Sequence, residues 1–333
     1  MHQVKSPYLL FLGHTDNPLA IKTSRGIAQW CPDKCVGETH GNLSVGLQKM
    51  TPTEAVSAGA KTFVVGLANG GGRIAPEWVS SILEAIEAGM DIASGLHEKI
   101  SDINVVRVAA QEKGVAIHDI RHLGKNPDIG NGEKRQGKRI LTVGTDCSVG
   151  KMYTSLAIER EMKSRSFKVD FRATGQTGIF IAGSGVPVDA VVADFISGSV
   201  EALCHANDPD HWDVIEGQGS LFNPAFAGVS LGLLHGAQAD VLVMCHEAGR
   251  KEMKDLPGYF IPSLEDCVDL NLNMARLTNP GARLGAISLN CRNIQAEEAT
   301  ERCQALAEKY SVPCFDPLIH GARSFVDTLE GDA

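Results

Sequence analysis

The sequence predicts an α/β protein of two domains built on mainly parallel sheets, and three observations carry that prediction. Short β-branched runs alternate with helical segments; a Gly-rich loop ending in Gly-Lys joins one such run to a helix; and the alternation breaks down between Gly124 and Lys138. The chain has 333 residues, and at roughly 100–200 residues per domain that length suits two. With 43% hydrophobic residues, each half can bury its own core.

Taken in order, Tyr8–Gly13 is a short apolar run, and a polar loop containing Lys22, Thr23, Arg25 and Gly26 is expected after it. Thr62–Leu67 is β-branched and bounded by Gly, as a buried parallel strand should be. The loop Asn69–Arg73 follows, then a helix that starts near Pro76 and stops at Gly89, the usual Pro-start, Gly-stop asymmetry. Asp91–Gly95, a helix around Ile100–Lys113 and Val115–Ile120 continue the alternation and predict a Rossmann-like domain over residues 1–123. Residues 124–138, rich in Gly, Asn and charge, are expected to be a linker, and the basic run Lys134, Arg135, Lys138, Arg139 that spans its end is expected to be solvated. A second domain over 139–333 restarts with strand Ile140–Val143, helix Lys151–Arg165 and strand Val169–Ala173. Strand cores at Val214–Ile215, Val241–Met244 and Leu284–Leu289 and helices near Glu265–Leu277 and Ala296–Tyr310 complete it.

Charge and cysteine usage exclude several function classes. The net charge is −9, and the Lys/Arg residues form no footprint that could displace counterions from nucleic acid. Nine unpaired cysteines in apolar or helical surroundings, Cys204, Cys245, Cys291 and Cys303 among them, suit a reducing compartment. With no signal-peptide layout and no apolar run of ~18 residues, the expectation is a cytoplasmic protein without a membrane partner, acting on a small molecule as a homodimer or higher homo-oligomer.

Gly144-Thr145-Asp146-Cys147-Ser148-Val149-Gly150-Lys151 lies between a strand and a helix, the context of a phosphate-binding loop, so the second domain is expected to be P-loop NTPase-like. Glycines let successive N–H groups turn inward, the helix adds unpaired amides and a positive dipole end, and Lys151 adds a mobile charge. Five residues separate Gly144 from Gly150, and Met152 stands where Ser or Thr would bind Mg²⁺. The loop looks like the dethiobiotin synthetase type, but a thioether gives a hard cation no oxygen. Thr145, Ser148 and Thr154 are the candidate substitutes.

Asp213–Gly219 is a strand ending in an acid, Glu216, that could hold a metal-bound water or act as a general base. Arg172, Thr174 and Gln176 follow another strand, and ligands of open α/β sheets bind at the carboxyl ends of strands, so these loops are expected to converge. Cys147 is expected to have a lowered pKa beside a helix N-terminus. Cys31 and Cys35 have loose metal-like spacing but no second Cys/His pair, so no metal site is expected. His14, His40, His97, His235, His246 and His320 are candidate bases.

The stretches AVSAGAKTFVVGLANGGGRIAPEW, MDIASGLHEKISD, GTDCSVGKMYTSLAIEREM and RATGQTGIFIAGSGVPVDAVVADFISGSVEAL together resemble the DgcN-type family of D-glutamate N-acetyltransferases, long catalogued as a domain of unknown function. The resemblance covers nearly the whole chain. It implies a Rossmann-like domain followed by a P-loop domain, acetyl-CoA as donor, D-glutamate as acceptor, and a site lined by the Gly150–Lys151 pair and the Lys22 region. On that basis Lys151, Glu216 and Lys22 are the expected catalytic groups. Gly144–Lys151 would hold a coenzyme phosphate without a metal, and Arg25, Arg172, Thr174 and Gln176 would hold the substrate. Two rivals use the same loop: an ATP- and Mg²⁺-dependent kinase or ligase, and a non-catalytic nucleotide-binding protein. A nicotinamide dehydrogenase is disfavoured because Gly13-His-Thr-Asp-Asn-Pro lacks the dinucleotide fingerprint.

Overall fold

Short buried runs of Val, Ile, Leu and Phe build two all-parallel sheets in the structure, a computed structural model that describes residues 3–124 and 127–330. In chain order the elements begin β1 (Tyr8–Phe11), α1 (Lys22–Trp30), β2 (Cys35–Thr39), α2 (Pro52–Ser57), β3 (Thr62–Val65), α3 (Trp78–Glu87), β4 (Asp91–Ser94), α4 (Asn104–Lys113) and β5 (Ile117–Asp119). They continue with β6 (Lys138–Gly144), α5 (Lys151–Ser164), β7 (Val169–Arg172), α6 (Gln176–Ala182), α7 (Ile196–Leu203), β8 (Trp212–Ile215) and α8 (Ala227–Ala237). Last come β9 (Val241–Glu247), α9 (Leu264–Ala275), β10 (Arg283–Asn290), α10 (Ala296–Tyr310), β11 (Cys314–Phe315) and α11 (Arg323–Asp327). Among the described residues no helix is long and apolar enough to cross a membrane.

These elements form two units, one of Met1–Lys125 with Gly175–Ala190 and one of Asn126–Thr174 with Val191–Ala333. The first carries the five-stranded sheet β2-β1-β3-β4-β5. Strand β1, between β2 and β3, reads Tyr-Leu-Leu-Phe and is buried throughout, as a parallel strand covered on both faces must be. Phe11 packs on Phe63 at 5.3 Å and edge-on to Trp78 at 6.0 Å. Helix α6 belongs to this unit and packs on α1, and the Tyr8 hydroxyl donates to the Phe180 carbonyl at 3.0 Å.

Residues Lys22–Gly26, expected to be a polar loop, are helical in α1. The reason is a face of small residues: Thr23, Ser24 and Gly26 are buried beside Ile27, and the Ser24 hydroxyl donates to the Gly66 carbonyl at 3.0 Å. Lys22 and Arg25, three apart, lie on the exposed side. Helix α2 starts with a capping box between Thr51 and Glu54, with Pro52 at the first helical position.

The second unit carries the six-stranded sheet β11-β10-β9-β6-β8-β7. Strand β6 is flanked by β8 and β9, with Leu141 opposite Ile215 and Gly144 opposite Cys245. Each Val, Leu or Ile buried here contributes about 1.5–3 kcal/mol.

The basic run corrects the expectation of a solvated linker, of which Lys125 and Asn126 lie outside the described residues. Lys134 is exposed, but Arg139 is fully buried, donating to the carbonyls of Arg135 at 3.1 Å and Gln136 at 2.9 Å. Arg135 reaches the Cys204 and Gly236 carbonyls at 2.8 and 2.6 Å. Lys138 lies over the Trp212 ring at 5.3 Å. Backbone carbonyls accept from most of the nitrogens of these guanidinium groups, which lets them be buried where a linker would leave them wet; Arg135 Nη1 and Arg139 Nε are left without a hydrogen-bond partner.

Candidate functional site

The loop between β6 and α5 leads into the helix without a side-chain cap. Gly150 caps α5 at φ 109°, a conformation open to glycine, and no side chain caps the helix, so its first amides face the loop. Behind the loop, Thr142 and Ser155 share a hydroxyl hydrogen bond at 3.0 Å, and the Gly217 amide donates to the Thr142 hydroxyl at 2.9 Å. A Cβ on Gly217 would stand 1.7 Å from the Thr142 carbonyl oxygen, so this crossing tolerates no side chain. The Ser220 hydroxyl holds the Thr145 carbonyl at 3.1 Å.

Lys151 is 7% exposed, and its ammonium donates to the Asp146 carbonyl at 2.8 Å. Burial pushes it below its ordinary 10.5, against the opposing pull of Cys147 and other neighbours. Cys147 departs from the expected direction. Burial raises its thiol above the ordinary value and outweighs the Lys151 charge, so it is no ready thiolate. Cys31 and Cys35 are likewise pushed up by burial, to about 11 and about 12.

Asp146 is fully buried and accepts from Asn223 at 3.0 Å, the Lys254 amide at 2.6 Å and Arg250 at 3.1 Å. Arg250 also donates to the carbonyls of Cys147 at 2.7 Å and Ser148 at 3.3 Å and pairs with Glu247. Of the histidines singled out by sequence, His246 stands beside the loop, its Nδ1 3.0 Å from the Thr145 hydroxyl. Burial and then the Arg250 charge lower its pKa, which keeps the imidazole neutral.

Glu216 closes β8 at 4% exposure; its carboxylate accepts the Thr174 amide at 2.9 Å, and its carbonyl accepts the Thr174 hydroxyl at 2.6 Å. Gln218 adds a bond to that hydroxyl at 3.2 Å. Gly144–Lys151, Glu216 and Thr174 therefore gather at one sheet edge. Arg172 is placed differently: its Nε donates to buried Asp213 at 2.6 Å and its Nη2 to Asp170 at 3.3 Å. Lys22 and Arg25 on α1 and Gln176 at the start of α6 belong to the first unit, where Gln176 packs on Gly95.

Ligand atoms of Asp170, His211 and Asp213 lie within 4.8 Å of one another. Arg172 already bridges the two carboxylates and Arg139 stands 4.0 Å from Asp213, so the cluster is an ion-pair network. Met152 brings no oxygen to the first turn of α5, and the Thr154 hydroxyl is committed to Ser288 at 2.7 Å and the Gly150 carbonyl at 3.1 Å.

Sequence reasoning missed Asn223, Glu247, Arg250 and Lys254. The signal was available for the last three. Glu247 ends β9, which pairs with β6, and Arg250 and Lys254 follow it, so the segment after Glu247 is one more loop at the carboxyl ends of the strands.

A Rossmann-like domain model of the DUF1611 family of unknown function matches residues 30–123, and the P-loop domain model of the same family matches 128–326. Two relatives bear the name D-glutamate N-acetyltransferase. One, from a Pseudoalteromonas species, is 49% identical over 98% of this chain and 99% of its own. The other, from Tritonibacter scottomollicae, is 47% identical with the same coverage. The crystal structure of a DUF1611 family protein from Anabaena variabilis superposes with a TM-score of 0.86 at 28% identity, covering 98% of this chain and 99% of that one.

Proposed function

Since the chain belongs to the DUF1611 family, we propose that it is a D-glutamate N-acetyltransferase, moving an acetyl group from acetyl-CoA to the amine of D-glutamate. The observation that carries this reading is the pair of relatives so named, alike at 49% and 47% identity from end to end. The alignments cover 98% of this chain and 99% of each relative.

The site chemistry supports the donor. Coenzyme A offers a pyrophosphate and a 3′-phosphate, and the amides of Gly144–Lys151 with the Lys151 ammonium suit either one without a metal. The absence of an oxygen at Met152, a defect for γ-phosphoryl transfer, is no defect here. That is why the kinase or ligase reading is the weaker.

N-acetylation needs the neutral amine, so a base must take the ammonium proton before the nitrogen attacks the thioester carbonyl. Glu216, fixed by Thr174 at the sheet edge, has that role in this proposal, and loop amides steady the tetrahedral oxyanion. Collapse of that intermediate expels the coenzyme A thiolate.

Purified protein should release free thiol from acetyl-CoA when D-glutamate is added, and far less with L-glutamate. Thiol release independent of the amino acid, or ADP formation from ATP and Mg²⁺ in its place, would sink the assignment. Glu216→Gln should lower kcat with KM for acetyl-CoA little changed, the signature of a lost proton acceptor.

A further inference from the structure

The phosphate loop is gripped from outside by a residue that the transfer chemistry does not call for. Arg250 has five N–H donors, and four are spent. Nη1 donates to the Asp146 carboxylate at 3.1 Å and the Cys147 carbonyl at 2.7 Å; Nη2 donates to the Ser148 carbonyl at 3.3 Å and to Glu247. The guanidinium has no donor pair left for a phosphate, so its action on a ligand must pass through the loop.

We infer that Arg250 is a positioning residue, holding the Cys147 and Ser148 carbonyls on the outer side of the loop so that the amides after them stay aimed at the bound anion. In a trans peptide the carbonyl of one residue and the N–H of the next point opposite ways. Fixing those two carbonyls therefore fixes the N–H groups of Ser148 and Val149. Ser148 sits at φ 57°, a left-handed conformation that a serine keeps where its surroundings hold it. Arg250 supplies that hold.

The grip is itself braced. Glu247, 4% exposed, accepts from Arg292 Nη2 at 3.0 and 3.2 Å and from Asn293 at 3.0 Å. Asp146 is braced by Asn223 and the Lys254 amide. Four acceptors spread over two sides of a planar fork match a guanidinium; a lysine ammonium, a single point with three donors, cannot span them.

This inference rests on the reading of the loop as the coenzyme cradle. Titration calorimetry of the full chain with coenzyme A is the test, on Arg250→Ala, Arg250→Lys and Lys151→Met. Both Arg250 variants should bind about tenfold or more weakly, while KM for D-glutamate stays near the parent value. Added guanidinium should restore binding to Arg250→Ala, and methylammonium at the same concentration should not. A merely structural role would not show that selectivity. If Arg250→Ala fails to fold, Arg250→Lys decides. Coenzyme binding within about twofold of the parent in either variant, or equal rescue by the two cations, overturns the inference. Should those variants bind normally while Lys151→Met does not, the cradle stands and Arg250 loses its role; should Lys151→Met bind normally, both fall.

Discussion

Replacing Lys151 with methionine should weaken coenzyme binding and, at the same time, leave the free protein as stable as before or more so. The ammonium is 7% exposed and has one short partner, the Asp146 carbonyl at 2.8 Å. Removing it deletes a charge-assisted bond to phosphate, about 1.5–3 kcal/mol, which raises Kd about tenfold to 150-fold. Without ligand, burial works against the charge and has already pushed the group below 10.5. An apolar chain of similar length removes that cost, so unfolding free energy should be unchanged or higher by up to about 2 kcal/mol. The pH dependence has a definite sign. A lysine with a depressed folded pKa binds fewer protons folded than unfolded, so stability rises with pH from that depressed value to 10.5, and the methionine variant lacks the rise. Calorimetric titration and urea melts at neutral and alkaline pH measure both effects. Unchanged affinity, or a methionine variant less stable than the parent at every pH, would refute the reasoning.

Gly217→Ala places a methyl 1.7 Å from the Thr142 carbonyl oxygen and should cost about 3 kcal/mol or more, read as a lower urea midpoint. Arg139→Ala empties a fully buried site and strips one of the cations near Asp213; a loss of about 3–5 kcal/mol is expected, and a shift under 1 kcal/mol would count against the buried ion-pair network. Cys147 should be alkylated slowly at neutral pH and faster only above the ordinary thiol value of 9.0, followed by peptide mapping; a rate already at its plateau near neutrality would contradict the raised pKa.

Much of the fold was legible because its signals are local. The β-branched run at Thr62–Leu67, the Pro76-to-Gly89 helix and the Gly150-Lys151 junction each declare an element within a few residues. Helix α1 was not, because its buried side is made of Thr23, Ser24 and Gly26, which carry no apolar period. Strand β2 was hidden for a related reason: Cys-Val-Gly-Glu-Thr is short and mixed, and it buries Glu38 as well as Gly37.

The sequence by itself determined that strands and helices alternate, that Gly144–Lys151 is a Gly-rich loop between a strand and a helix, and that Met152 brings no oxygen to it. Each follows from backbone freedom, side-chain chemistry and spacing inside one segment. Tertiary structure alone decided that Arg139 is buried, that Arg172 serves Asp213, that the Cys147 thiol is raised, and that Arg250 reaches across 104 residues to Asp146. Desolvation and charge pairing depend on what surrounds a group in space, and those neighbours arrive from strands far apart in the chain.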